Sequence, residues 1–332
     1  MSNSSGDDAV PNANLQLPTA QAVATARTHI AGYAIRTPLL RLNSDIAGTN
    51  IYIKLENLQP LGSFKIRPAV NALKSMDPER LLRGVLTASA GNFGQGLALA
   101  AREIGVSATV VMPDSAAANK ATALRELGAT VIQVPFDEWW TVLTTRRFAD
   151  ADGVFIHPVA ESAVVAGNAT IAAEIIEDLP HFSAVVVPFG GGGLVSGIGS
   201  VVRRSNSDAR VIVVESEASQ PAAAALANGG PVRVSHVQSF VDSMGSTSVL
   251  AEMWPLVRET VDAAVCVRFA AICEAVRLLA ARHHVIAEAA GAASVAAAVT
   301  GLAGTGDIVC IVSGGNIDAA KLSTILNGAI PF

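Results

Sequence analysis

From residue 84 onward, short apolar runs alternate with stretches of helical spacing, and that alternation leaves the chain few folds to choose from. The spacing predicts strands at 85–89, 108–112, 130–134, 153–157, 184–187, 211–215, 264–267 and 308–312. Between them it predicts helices at 92–103, 119–127, 138–148, 164–178, 194–204, 221–226, 270–282 and 287–300. A helix at 19–34, stopped by Arg36-Thr37-Pro38, and strands at 39–42 and 51–55 come first. Short apolar strands between amphipathic helices imply mostly parallel open sheets flanked by helices, an α/β fold. The units outnumber what one compact open sheet holds. Two lobes are therefore expected, a small one at 83–152 inserted into a large one at 16–82 and 153–332, behind a disordered leader at 1–15.

Composition excludes several functions. The net charge is −5 with no basic run, so nucleic acid is not an expected partner. No apolar stretch is long enough to span a membrane, although the mean hydropathy is +0.43. Residues 1–15 lack the basic start and apolar core of a signal peptide, so the expected location is cytoplasmic. Cys266, Cys273 and Cys310 have no metal-ligand spacing and read as core thiols. No transition-metal site is expected.

In parallel sheets, ligands bind beyond the carboxyl ends of strands, where loops open onto helices. Four such loops stand out. The first, Leu61-Gly62-Ser63-Phe64-Lys65-Ile66-Arg67-Pro68-Ala69, puts Lys65 where a strand hands over to a helix. Burial and the positive end of a helix both lower an amine's pKa, as Schiff-base chemistry requires. A solvated lysine in a first helical turn fits this stretch alone at least as well. The second loop, Ser89-Ala90-Gly91-Asn92-Phe93-Gly94-Gln95, offers amides and side chains to an anion, and equally suits a plain N-cap. The third, Pro188-Phe189-Gly190-Gly191-Gly192-Gly193-Leu194, has bare amides for a phosphate but neither a dinucleotide nor a Walker spacing. The fourth is Ser313-Gly314-Gly315-Asn316, whose serine suits the floor of a cleft or an ordinary turn.

Taken in order, with Ala287-Glu288-Ala289-Ala290-Gly291-Ala292, these motifs resemble the fold-type II pyridoxal-phosphate enzymes, in particular the serine/threonine dehydratase and serine racemase branch. The resemblance runs from about Thr37 to Asp318. It implies pyridoxal 5'-phosphate as cofactor and a small-molecule amino acid as substrate, and leaves a homodimer open as the assembly. It implies that Lys65 binds the cofactor's aldehyde as a Schiff base and, once displaced, takes the substrate's Cα proton. Phe64 would pack beside the cofactor, Asn92 would bond its phenolic oxygen and Ser313 its pyridine nitrogen. Gly190, Gly191, Gly192, Gly193 and Leu194 would hold the phosphate, and Glu288 would line the pocket. Ser89, Ala90, Gly91, Asn92 and Phe93 would surround the substrate carboxylate. The implied reaction is dehydration of an L-β-hydroxy-α-amino acid to a 2-oxo acid and ammonia, because a serine at the ring nitrogen favours elimination. A racemase, or another eliminating or replacing enzyme of the same fold, is the alternative; a non-catalytic relative would commonly lack the lysine.

Departures refine this. Ile66 after Lys65 and Phe93-Gly94-Gln95 after Asn92 point away from the sulfhydrylases. Ala90 stands where racemases carry a second-face serine, so racemisation should be weak. Phe93 and Phe189 suggest room for an aromatic β-substituent such as that of 3-phenylserine, or ordinary packing. At the family's divalent-cation position Glu215 is present, but Pro221 replaces a second carboxylate and Ser219 offers only an oxygen or two, so no metal is expected. The chain ends soon after Asn316, from which no end-product feedback is expected.

Overall fold

The structure, a computed structural model, describes residues 15–44, 46–89, 91–116, 118–206 and 208–331, with no side-chain description for 118 and 119. Of the expected leader, residues 1–14 lie outside the described residues. Leu15 is not free: it is buried beside Ala160, Val165, Met253 and Leu256.

The chain opens with α1 (Ala20–Ile30), capped by the Thr19 hydroxyl on the Ala22 amide. Strands β1 (Leu39–Arg41) and β2 (Thr49–Lys54) lead to α2 (Ile66–Lys74) and α3 (Pro78–Leu81). There follow β3 (Val85–Ala88), α4 (Asn92–Ile104), β4 (Ala108–Pro113), α5 (Ala118–Glu126), β5 (Thr130–Val134), α6 (Phe136–Thr145) and β6 (Val154–Phe155). Next come α7 (Ser162–Asp178), β7 (Ala184–Pro188), α8 (Gly193–Ser205), β8 (Arg210–Ser216), α9 (Pro221–Asn228) and α10 (Trp254–Thr260). The described chain closes with β9 (Ala263–Val267), α11 (Phe269–His283), α12 (Ala289–Val299), β10 (Gly306–Ile311) and α13 (Ala319–Leu326).

The strands form two sheets, ordered β1-β2-β10-β7-β8-β9 and β5-β4-β3-β6. Every pairing is parallel except β1 with β2. The larger sheet is buried on both faces, with α11 and α12 among the residues on one side and α7 and α8 on the other. That explains why its central strands are apolar throughout rather than alternating. Helix α7 approaches α2 closely: a Cβ on Gly167 would lie 2.6 Å from Pro68 Cα.

Three differences from the sequence reading matter. The helix expected over 287–300 starts at Ala289, which leaves Glu288 in extended backbone as its N-cap, with no side-chain bond to the helix amides. The strand expected over 153–157 stops at Phe155, because the His157 ring takes over the following turn. Helices α10 and α13 have no counterpart in the expected spacing; α13 is started by Asp318, whose carboxylate accepts from the Ala320 and Lys321 amides.

Beneath the start of α2 lies a buried ionic cluster. Arg67 is wholly buried and bonds Glu56 through Nε and Nη2 at 2.8 Å. It bonds Glu174 through Nη1 at 2.6 Å and Nη2 at 2.9 Å. The buried Lys54 amine completes the set, donating to Glu174 at 2.6 Å and to the Thr37 carbonyl at 2.7 Å. Two cations face two carboxylates, so the cluster is neutral.

Candidate active site

The predicted loops all leave the carboxyl ends of parallel strands, and three of those strands, β2, β10 and β7, are neighbours. Chain topology alone therefore gathers residues that are far apart in sequence. The lysine loop and the last loop are zipped together: Phe64 N donates to Ser313 O at 3.1 Å and Gly315 N to Gly62 O at 2.8 Å.

Lys65 is the N-cap residue of α2 and stays half-buried, as a group at the floor of a cleft does. Its amine lies 4.7 Å from the Phe64 ring centre and 5.7 Å from that of Phe93. Among the described residues it has no hydrogen bond or ion pair. Burial pushes it down to about 8, with Glu288 opposing the shift. The alternative of a solvated lysine is thereby set aside.

Ser89 behaves as the capping alternative anticipated, its hydroxyl oxygen accepting from Gly91 N at 3.3 Å and Gly94 N at 3.2 Å. The first amides of α4, on Asn92 and Phe93, have no intrahelical acceptors, as at any helix start. Ala90 lies outside the described residues. Asn92 Nδ2 donates to Glu288 Oε1 at 3.0 Å, and Ser243 Oγ donates to Glu288 Oε2 at 3.3 Å. Burial, followed by the nearby Asp242, pushes Glu288 up to about 7 against those hydrogen bonds. The glycine loop reaches this group through Ser243, whose carbonyl would stand 3.6 Å from a Cβ on Gly190. Helix α8 begins at Gly193, and Leu194 packs in one cluster with Phe64. The amides of Gly190, Gly191 and Gly192 and the Ser313 hydroxyl have no partner among the described residues.

An unpaired desolvated amine, three unpaired amides before a helix and the unpaired hydroxyl of a mostly buried serine are what a phosphorylated aldehyde with a ring nitrogen would satisfy. The residues fit pyridoxal phosphate. At the family's divalent-cation position Glu215 accepts from the Ala222 and Ala223 amides at 2.7 and 3.0 Å, and the buried Ser219 hydroxyl has no partner among the described residues.

Of the two readings left open for Phe189, the structure matches ordinary packing: it is 1% exposed and clusters with Val195, Ile198 and Val257. Phe93 is buried but stays beside the amine. Sequence reasoning missed Ser243, which sits in an irregular stretch; its one signal was a polar pair, Asp242-Ser243, between buried apolar residues. It also passed over His157, although the same strand-end rule applied to β6. The His157 Nδ1 accepts from Val159 N at 3.1 Å and Ala160 N at 2.8 Å, which sets Val159 against the glycine loop.

Two predictions arise here. A Cβ on Gly191 would stand 2.7 and 2.8 Å from the two Val159 methyls. Gly191→Ala should therefore weaken cofactor binding roughly tenfold or more, measured by equilibrium titration of the apoprotein. Burial, then the charges of Arg146 and Lys65, push His157 down to about 3. The unfolded chain takes up this proton below about 6.5, the native one only near 3, so stability is lost as pH falls between them. Denaturation midpoints measured from pH 7 to 4 should fall more steeply for the wild type than for His157→Asn, which keeps an acceptor but does not titrate.

A family model described as pyridoxal-phosphate dependent enzymes matches residues 30–314. An L-threonine ammonia-lyase of Thermotoga maritima is 42% identical over 288 residues, covering 86% of this chain and 71% of that protein. The processed form of threonine deaminase isoform 2 from Solanum lycopersicum superposes with a TM-score of 0.81 at 30% identity, covering 96% of this chain and 97% of the other. Maize serine racemase superposes with a TM-score of 0.84 at 28% identity, covering 94% and 98%.

Proposed function

Because the chain belongs to the pyridoxal-phosphate dependent enzymes, we propose that it is a lyase that removes water from L-threonine or L-serine to give a 2-oxo acid and ammonia. The observation that carries this reading is the unpaired, desolvated Lys65 amine in a site where, among the described residues, the Gly190, Gly191 and Gly192 amides and the Ser313 hydroxyl are also without partners. The ammonia-lyase and deaminase activities named for the Thermotoga and tomato proteins support the same choice.

When bound, the cofactor supplies the electron sink that makes the substrate's Cα–H bond acidic. Gly190, Gly191, Gly192, Gly193 and Leu194 hold its phosphate through backbone amides. Phe64 packs beside its ring, Ser313 donates or accepts at the ring nitrogen, and Asn92 donates to the phenolic oxygen. The start of α4, with Ser89, Ala90, Gly91, Asn92 and Phe93, binds the substrate carboxylate at its positive end. Lys65 Nζ removes the Cα proton; with its pKa near 8, a useful fraction is neutral at physiological pH. Glu288, near 7, accepts the Asn92 hydrogen bond whichever protonation state it holds.

We read the part of the chain that carries the β5-β4-β3-β6 sheet as a small lobe set into a large one; β6 pairs with β3 there, so the boundary expected at 152 moves past Phe155. No helix of the described residues is long and apolar enough to cross a membrane. The cytoplasm is the proposed location and a homodimer the proposed assembly.

Purified holoenzyme incubated with L-threonine, L-serine and DL-threo-3-phenylserine tests the reading by oxo acid and ammonia release. Equal release of both, fastest with threonine or serine, is expected. D-serine formed from L-serine with little oxo acid would instead favour the racemase reading, to which the maize enzyme is the relevant likeness. Phenylserine as the best substrate would support the finer reading, with its ring beside Phe93, whose own ring centre lies 5.7 Å from the amine.

A further inference from the structure

Asn316 sits on the exposed rim of the cleft, yet it ties three parts of the site together. Its Nδ2 donates to the Leu61 carbonyl, on the loop leading to Lys65, at 2.7 Å. The same nitrogen donates to Asn92 Oδ1, at the start of α4, at 2.9 Å. A backbone carbonyl can only accept, so it is the nitrogen of Asn316 that faces Leu61. That nitrogen then draws the oxygen of Asn92, and leaves the Asn92 nitrogen to face Glu288 Oε1 at 3.0 Å. Polarity is thus handed from a main-chain carbonyl through two amides to a carboxyl group.

A primary amide has one acceptor oxygen and two donor hydrogens. With the Asn92 oxygen turned to Asn316 and one hydrogen on Glu288, one N–H remains for a ligand. We propose that Asn316 is a positioning residue that fixes Asn92 as a donor towards the cofactor's phenolic oxygen. A flipped Asn92 would aim its own oxygen at that anion. Local geometry keeps Asn316 in place: a Cβ on Gly62, which has φ +69°, would stand 2.6 Å from Asn316 Oδ1, so glycine there leaves the space the amide fills.

This inference rests on the reading of Asn92 as a cofactor contact, and its test needs no substrate. Holoenzymes of the wild type, Asn316→Leu, Asn316→Ala, Asn92→Ala and the Asn92→Ala/Asn316→Ala double variant are brought to equal cofactor content. Their visible absorption is then titrated against pH. Leucine keeps the shape of asparagine and loses its donor, so a space-filling role would leave Asn316→Leu like the wild type. The expected result is an upward shift of the spectral midpoint by roughly one pH unit in both Asn316 variants, the worth of one hydrogen bond to the ionised form. The double variant should shift no further than Asn92→Ala alone, because Asn316 acts through Asn92. An unshifted Asn316→Leu, or shifts that add in the double variant, would overturn the proposal. Absence of oxo acid with a shifted midpoint would count against the dehydratase reading and leave this one standing.

Discussion

Lys65→Ala is expected to lower the rate of oxo acid release by on the order of 10⁴-fold, at the upper end of what a positioned base supplies. The surroundings of this amine suit it to proton transfer, since burial brings it down to about 8 and no described residue pairs with it. Lys65→Arg should not restore activity, because a guanidinium neither loses its proton at working pH nor bonds covalently to an aldehyde. Folding should be spared. An amine that is desolvated and unpaired in the native state adds nothing to stability, so the melting temperature of Lys65→Ala should equal or exceed that of the wild type. Loss of the visible chromophore on borohydride treatment, followed by peptide mapping, would place the attachment. Labelling at another lysine, or full activity in Lys65→Ala, would sink the assignment.

Arg67→Met should be among the most destabilising single substitutions available, at about 3–5 kcal/mol. The residue stands two positions after Lys65 and is wholly buried, with four charge-assisted bonds to Glu56 and Glu174. Removing it leaves two carboxylates in a dry interior with only Lys54 between them. Burial pushes Glu174 up, and Arg67 and Lys54 outweigh that push and hold it below its usual value. Without the arginine the carboxylates must take up protons or admit water. Urea denaturation at pH 7 measures the loss. Arg36, which pairs with Glu177 and Asp178 at the half-exposed end of α7, provides the contrast. Its replacement by alanine should cost no more than about 1 kcal/mol, since exposed pairs are screened and their side chains must be ordered. A similar loss for both variants would mean that the buried cluster contributes no more than surface charge does.

Much of the architecture is legible in the order of residues alone. Period-3.6 stretches between continuous apolar runs name the α/β class, and nearly every strand lies within one or two residues of its expected place. The site is legible as loops, because glycine runs and a lysine at strand ends have few other uses. What the pattern does not carry is direction. Glu288 reads as the first turn of an alanine-rich helix, and only backbone geometry shows it outside that helix with its carboxyl aimed at Asn92 and Ser243. Phe189 beside the glycines reads equally as room for a substituent or as packing, and contacts with α8 and α10 draw it into the core. The burial of Arg67 leaves no local sign, because its partners Glu56 and Glu174 come from different elements.

The residue types and their order along the chain determined the strands, the helices and the chemistry that the loops are able to perform. Those properties are local: a glycine frees an amide and a β-strand hides its apolar face wherever it lies. Tertiary structure decided which groups are buried, which carboxyls are pushed up in pKa and which amides are clamped in one orientation. Those depend on neighbours more than a hundred residues away, such as Glu288 for Asn92 and Asn316 for Leu61. Desolvation and hydrogen-bond polarity belong to the assembled cleft and to no single stretch of chain.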